Sequence, residues 1–559
     1  MIVFRSAAFA FFAIAMVCPG GFGQVAQPHA AADLGQAVLQ AGLDAGACYR
    51  VRDLEIDEED LQVFLTDGYL IFGKPVNGAP ISAVFSGEVE AGDGEVILLP
   101  PNRAERRTLS SYTHSPNLDE HFVNAVFLFT ESQARALKGQ MSTNPDAKLS
   151  PEAGAVLAER WTPVIANLAA NFESRIVLDL LDDTTGRKGF LAAAIQGKKL
   201  GTFNVGYDGR GADQINAGQF QTRDGQGYWD TWTSFADKSH RGVPPSAPEE
   251  QILSYRIDAT LDSSLMLHCI TRMRIRATAD SRDAIPFDLS GEMRATGATI
   301  DGVPAEVYSR DSARSGLNQN SGDELLIVTP ERPLQPGSEH EVEIRHEGRV
   351  VKDTGHQVYF VTSRGTWYPN RQAQFATYDV TYRYPKTLDL VAAGQIREDR
   401  TDGDTRITRR VPSGRIRLMG FNLGVYDSKI LERGGIQIEV SANHEVEDAL
   451  RTRTSRTADV PALPTPPPFT YGRGRPVPRG LTDDTLTALP DTLTPTASPS
   501  GQLTQIAGEV ASAMDFYRAR FGDPPVSRIE VSPLPGRFGQ GFAGMIYLAT
   551  LSYLPTTVR

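Results

Sequence analysis

Cysteine is scarce: three residues in 559 leave no disulfide framework to hold the fold. Cys18 lies in an N-terminal apolar stretch, so Cys48 and Cys269 remain, one in each of two different expected domains, and both read as unpaired structural thiols. Positive charge is short too. Lys and Arg total 56 against 68 Asp and Glu, a net charge of -12, which excludes a general electrostatic grip on nucleic acid or an anionic membrane. The acidic residues are scattered and form no tail. Long apolar runs are also missing, since none approaches the ~20 residues of a membrane-spanning helix. The apolar stretch Ala7 to Val17, with Arg5 before it and Gly20, Gly21, Gly23 and Ala26 after it, reads instead as a signal peptide over residues 1–26. Ala15-Met16-Val17 is a poor match to the small residues that precede a lipidated cysteine. The expected product is therefore exported, periplasmic or extracellular, without stable membrane insertion.

Familiar catalytic sets are absent as well. There is no Gly-x-Ser-x-Gly elbow, no phosphate-binding glycine loop with Lys and Ser or Thr, and no Cys with a nearby His partner. Nine histidines make the search for a zinc helix short. His-Glu-x-x-His places two imidazoles one helical turn apart so that both reach one ion, with a Glu beside the first to act as base. Here His340-Glu341 leads to Ile344, His346-Glu347 to Val350 and His444-Glu445 to Asp448, so no copy is complete. A second metal arrangement from His114, Asp119 and His121 has no support in the spacing. Gly206-Tyr-Asp-Gly-Arg-Gly211 sits among strands and reads as a turn.

What is present is a β-rich, mixed architecture long enough for three or four domains. Residues 33–245 read as an α+β domain of unknown role. Leu34, Val38, Ala41 and Leu43 have helical spacing over 33–45, with Gly46 as the stop. Asn77-Gly78 predicts a hairpin between Leu70–Val76 and Ile81–Phe85, and Gly92-Asp93-Gly94 predicts another between Gly87–Glu90 and Glu95–Leu99. Pro151 to Leu168 reads as a helix, and Val126–Phe129, Phe203–Tyr207 and Tyr228–Trp232 as strands. The Trp229/Trp232 pair reads as core or edge packing, with a peptide or sugar groove as the alternative.

Residues 247–445 read as a β-sandwich. Tyr255, Ile257, Ala259 and Leu261 share one face, and Leu265, Leu267, Cys269, Met273 and Ile275 another. Turns at Asp301-Gly302 and Pro336-Gly337 separate further strands. Residues 446–503 are Pro-rich, from Pro461 to Pro499, and read as a linker that cannot bury enough apolar surface to offset its chain entropy. After it, Ile506, Val510, Met514 and Tyr517 mark one face of a helix closed by Gly522, Arg528 to Val531 a short strand, and Met545–Leu548 another.

Thr366-Trp-Tyr-Pro369, the strand Phe375 to Lys386, Ala393-Gly394, the run Ile416 to Tyr426 and the Gly541–Leu548 stretch, in that order, resemble the M1 family of zinc aminopeptidases. The resemblance covers about half of the chain. It implies an N-terminal saddle sandwich over 247–445 and the incomplete start of an α/β gluzincin catalytic domain over 504–559, ahead of the family's zinc helix. It also implies zinc as cofactor of a complete relative, though not of these residues, and a peptide or protein as substrate. The family's Gly-x-Met-Glu-Asn strand aligns over Phe538 to Phe542, which makes Gly539, Gln540, Gly541, Phe542, Ala543 and Gly544 the candidate substrate strand. The family's amine-binding Glu falls on Gly541. The chain is thus expected to be hydrolytically inert, with no catalytic or metal-ligating residue assigned; a secreted, non-catalytic peptide- or protein-binding module is the alternative. Residues 504–559 would expose an apolar edge from Met545 to Leu554.

Overall fold

Apolar residues at period two commit most of the chain to strands, and tertiary pairing sorts these into three main sheets. The structure, a computed structural model, describes residues 30–141, 148–182, 189–223, 226–243, 248–278, 283–309, 323–372, 374–446, 499–535 and 539–554. The expected signal peptide and nearly all of the Pro-rich stretch lie outside them.

The first sheet contains β1 (Leu43–Glu58), β2 (Leu61–Gly73), β5 (Ser82–Ser86), β6 (Asp93–Leu98), β7 (Leu118–Phe129), β8 (Phe190–Gly197), β9 (Gly201–Asp208), β10 (Ile215–Arg223) and β11 (Gln226–Phe235); β3 (Pro75–Val76) and β4 (Ala79–Pro80) form a separate short pair. All its pairings are antiparallel. The Asn77-Gly78 turn is there, with φ 50° and 88°, and β2 and β5 pair around it, Leu70 opposite Phe85. The second expected hairpin is not. Residues 87–90 form no strand, and β5 and β6 lie end to end in one slot between β2 and β7. Gly87 to Gly92 is a bulge in that slot, closed by the Gly92 N–H donating to the Val89 carbonyl, where a Cβ on Gly92 would meet Gly87 O at 2.0 Å.

Helices α1 (Ala30–Gln40) and α4 (Pro151–Leu181) cover one face of this sheet, around Val38, Phe172, Ile176 and Phe190. Helices α2 (Arg103–Thr113) and α3 (Glu131–Met141) cover the other through Leu109, Ala134 and Leu137. The first helix stops at Gln40 rather than near Gly46, because Gly42 accepts a hydrogen bond from Lys74 N–H and Leu43 already begins β1. Tertiary pairing here overrides local periodicity. Conversely α4 runs past Leu168 and takes in the apolar run Ile176–Leu178, with Pro163 inside it.

The central sheet orders β14 (Ile285–Ser290), β17 (Asp323–Thr329), β16 (Val303–Tyr308), β15 (Met293–Ile300), β18 (Glu339–Gly348), β13 (Leu267–Ala277), β12 (Glu250–Leu261), β21 (Thr377–Pro385), β24 (Thr405–Val411) and β23 (Gln395–Asp402). Its alternation is as expected: Tyr255, Ile257, Ala259, Leu261, Leu267, Cys269, Met273 and Ile275 are buried, while Leu265 sits in the turn at φ 63°. The pairs β19 (Val351–Asp353)/β20 (Tyr359–Val361) and β22 (Asp389–Ala392)/β25 (Phe421–Gly424) contribute to the same core. Trp367 and Tyr368 are fully buried within it. Trp367 Nε1–H donates to Met419 O at 2.8 Å, and the Tyr255 and Tyr378 rings stack at 4.7 Å.

The third sheet, ordered β26 (Tyr426–Arg433), β27 (Ile436–Asn443), β28 (Arg528–Leu534), β30 (Met545–Ala549) and β29 (Gln540–Phe542), draws strands from both sides of the Pro-rich stretch. Helix α5 (Leu503–Phe521) packs Leu503, Ile506, Ala507 and Ala511 on it, with Val510 and Met514 partly buried. Tyr517, expected on that face, is exposed beside Phe516 and Phe521. Met545, Tyr547, Tyr553 and Leu554 are buried, so the expected apolar edge does not form there.

The sheets are tied together. Glu306 accepts from the Ala31 and Ala32 N–H groups at the start of α1, at 3.2 and 3.1 Å. Arg210 reaches Asp179, Asp182 and Glu249 at 2.7–2.9 Å. Arg410 in β24 pairs with buried Glu530 in β28 at 2.8 Å.

Candidate functional site

Residues Gly539–Gly544 form the outer margin of the third sheet. β29 pairs antiparallel with β30, Gln540 opposite Tyr547, Gly541 opposite Ile546 and Phe542 opposite Met545. Ala543-Gly544 closes the two-residue turn, and Gly544 needs its freedom there, at φ 80°. The Gly544 carbonyl also accepts from Glu530 N–H at 3.0 Å, fixing the turn to β28. Phe538, the first position of the aligned pentapeptide, lies outside the described residues.

β29 is the last strand of its sheet, and no described strand pairs with its other side. Such an edge presents a row of backbone donors and acceptors to an extended chain. Gly539, Gly541 and Ala543 are exposed, and a Cβ built on Gly541 meets no atom within 4 Å.

Behind the edge the support is rigid. The Tyr547 ring is buried; its hydroxyl donates to Phe421 O at 3.1 Å and Phe542 packs edge-on at 6.0 Å. Burial pushes the Tyr547 phenol pKa up, partly opposed by Arg364. Arg364, from the loop after β20, donates Nε–H to Gln540 Oε1 at 2.7 Å and Nη1–H to Val361 O at 3.2 Å, and its guanidinium lies 5.4 Å from the Tyr547 ring centre. Burial lowers its pKa, Tyr547 acting in the opposite sense. Sequence reasoning missed Arg364. An isolated Arg after a strand carries no signal that it will meet a residue 176 positions later.

The histidines of the three His-Glu pairs are each engaged by another side chain. His340 is held by Asp301 at 2.6 Å and Ser338 at 2.7 Å. His346 is buried against Thr271 at 2.9 Å, its pKa pushed down to about 3 by burial. His444 faces Asp427 at 3.2 Å. Among the described residues, the cluster with metal-ligand proximity is Glu95, Asp119 and His121, whose ligand atoms lie within 4.8 Å of one another on β6 and β7 of the first sheet. The structure thus joins His121 and Asp119 with Glu95 in place of His114. His121 Nδ1 is also bonded to Asp93 at 2.7 Å, and Asp93 to Lys198 at 2.7 Å.

Trp232 is buried, stacked with Phe203 at 5.5 Å and Tyr112 at 6.0 Å, so it is core packing and lines no groove. Cys48 and Cys269 are free and buried. Burial pushes the Cys48 thiol up to about 11 and raises that of Cys269 further, which suits inert structural thiols. Among the described residues no helix is long and apolar enough to cross a membrane.

No family model matches this sequence, and no curated protein matches it. Solved structures that match include the M1 zinc metallopeptidase of Deinococcus radiodurans, at TM-score 0.36 and 14% identity, covering 54% of this chain and 61% of that one. A mutant of it bound to a Tyr-Ser-Ala substrate matches at TM-score 0.35 and 15% identity, over 56% and 62%. The chain spans less than two thirds of the length of these proteins.

Proposed function

We propose that this chain is an exported, M1-like protein that holds an extended peptide or protein segment against β29 and does not hydrolyse it. The observation that carries the reading is the open edge of β29 with exposed Gly541 at its centre and space around it. Backbone hydrogen bonding to such an edge gives affinity without demanding a sequence. With Gly at the position where the resembled family places its amine-binding Glu, a free peptide N-terminus gains no ion pair. Free and N-acetylated peptides are then held alike.

The second reading is zinc-dependent hydrolysis. It is favoured by the resemblance carried by Thr366–Pro369 and the segments after it. The chain has no His-Glu-x-x-His, and His340, His346 and His444 are each engaged by another side chain.

Titrating the purified 559-residue chain with extended peptides, free and N-acetylated, separates the readings when β29 amide exchange, metal content and peptide cleavage are followed together. Slowed exchange at Gln540–Phe542, equal for both peptides, with neither stoichiometric zinc nor cleavage is the expected result. Unchanged exchange sinks the binding site. Stoichiometric zinc with cleavage sinks the inert assignment.

A further inference from the structure

The outward face of the central sheet is a grid of charges in which Arg256 has no carboxylate of its own among the described residues. Registry sets the rows. Arg256 on β12 lies opposite Arg272 on β13 and Asp379 on β21; one row on, Asp258 lies beside Thr381, which faces Arg409 on β24, which faces Glu398 on β23. Successive rows on one face of a pleated sheet bring these side chains within reach of one another.

The acids of this grid are already engaged. Asp379 takes both Nε and Nη2 of Arg409, at 2.7 and 2.6 Å. Asp258 is shared by Arg272 at 3.1 Å and Arg383 at 3.2 Å, and Glu398 pairs with Arg400 at 2.7 Å. The Arg256 side chain makes no hydrogen bond or ion pair among the described residues, and its influence on Asp379 is only longer-range Coulombic attraction. Across the β12–β13 ladder it faces Arg272, which is itself held by Asp258 at 3.1 Å and Glu343 at 2.9 Å. Thr381 offers a hydroxyl without a partner among the described residues.

These groups surround a concavity of about 400 Å³ lined by Arg256, Asp258, Asp379, Thr381, Arg383, Glu398, Arg400, Ile407 and Arg409. Four guanidinium groups against three carboxylates give it a local excess of one positive charge, in a chain whose net charge is -12. We infer that this concavity is a binding site for a small oxyanion, a carboxylate or phosphate group, held by the Arg256 guanidinium fork with Thr381 as the neutral donor. A planar fork suits an oxyanion's paired oxygens, and the charged hydrogen bonds it makes are of the stronger kind. The site is on a different sheet from β29 and independent of any peptide held there.

Calorimetric titration of the full chain with inorganic phosphate in one arm and glutarate in the other tests it. Saturable one-to-one binding of at least one probe is expected, identifying whether phosphate or carboxylate is the source. Arg256→Gln then weakens it about tenfold or more, and Arg256→Lys, which keeps the charge without the fork, less. Thr381→Val weakens it a few-fold, and Lys429→Gln, on exposed β26, leaves it unchanged. Arg256 is exposed, so its variants keep the wild-type melting profile. Absence of saturable binding to either probe, or wild-type binding by Arg256→Gln, overturns the inference.

Discussion

Arg364 and Gln540 are joined by a 2.7 Å hydrogen bond across 176 residues of chain, and this contact ties the loop after β20 to the edge strand β29. The same guanidinium covers the Tyr547 ring that supports the strand from beneath. The strand's position is therefore set from outside its own sheet.

Arg364→Ala removes a charged hydrogen bond and a cation–π contact, together worth about 2 kcal/mol. Amide exchange at Gln540–Phe542 should rise and peptide affinity fall by about tenfold, with the rest of the chain unchanged in a native-state exchange experiment. Gln540→Ala should reproduce most of the effect. An edge that exchanges as in wild type would show that β30 alone holds it.

Gly541→Glu places a carboxylate in open space, since no atom lies within 4 Å of the added Cβ. Stability should change by less than about 0.5 kcal/mol, as for an exposed substitution away from special backbone. Peptides with a free N-terminus should then bind better than N-acetylated ones, a preference the unsubstituted chain lacks. Equal affinities in the variant would place the peptide N-terminus elsewhere.

His346 gives the central sheet a pH response. Burial lowers its pKa from 6.5 to about 3, and its Nδ1 has no hydrogen-bond partner among the described residues. The unfolded chain therefore takes up a proton first as pH falls. The contribution of neutral His346 is fully present above pH 6.5 and is lost progressively as pH drops from 6.5 through about 3. Urea unfolding between pH 7.5 and 4 should show that loss, and His346→Gln should flatten the part due to this residue.

Glu306 caps the first turn of α1 from β16, placing a carboxylate at the helix N-terminus. Glu306→Ala should cost about 1 kcal/mol and speed amide exchange at Ala31 and Ala32. Gly35→Ala acts on the same seam more severely, because its Cβ would lie 1.9 Å from the Tyr308 hydroxyl. Trimming Tyr308 to Phe should not relieve that second effect, because Glu173 Oε1 at 2.5 Å and Tyr308 Cζ at 2.6 Å still crowd the added methyl.

Much of the central sheet was legible because its signal is local. Alternation over Tyr255–Leu261 and Leu267–Ile275 fixes which side chains face inward whatever the partner strand, and the Asn77-Gly78 and Asp301-Gly302 turns name their own geometry, with φ positive at all four residues. The Gly92-Asp93-Gly94 turn misled because glycine permits a bulge as readily as a hairpin. The choice was made by β2 and β7, which offered β5 and β6 one continuous slot. Of the candidate site, the strand Gln540–Phe542 and its turn were visible in sequence, but its place as the sheet's outermost strand was not.

By itself the sequence determined strand content, the facing of side chains, the lack of a disulfide framework, and the lack of a His-Glu-x-x-His, because each depends on residue identity or on spacing of a few positions. Tertiary structure alone decided which strands became neighbours: β12 beside β21 in parallel, β27 beside β28 across the Pro-rich stretch, Arg364 against Gln540, and Arg409 rather than Arg256 on Asp379. Those outcomes follow from closing long loops and burying shared faces. The entropy and packing involved belong to the whole chain and leave no mark at a single residue.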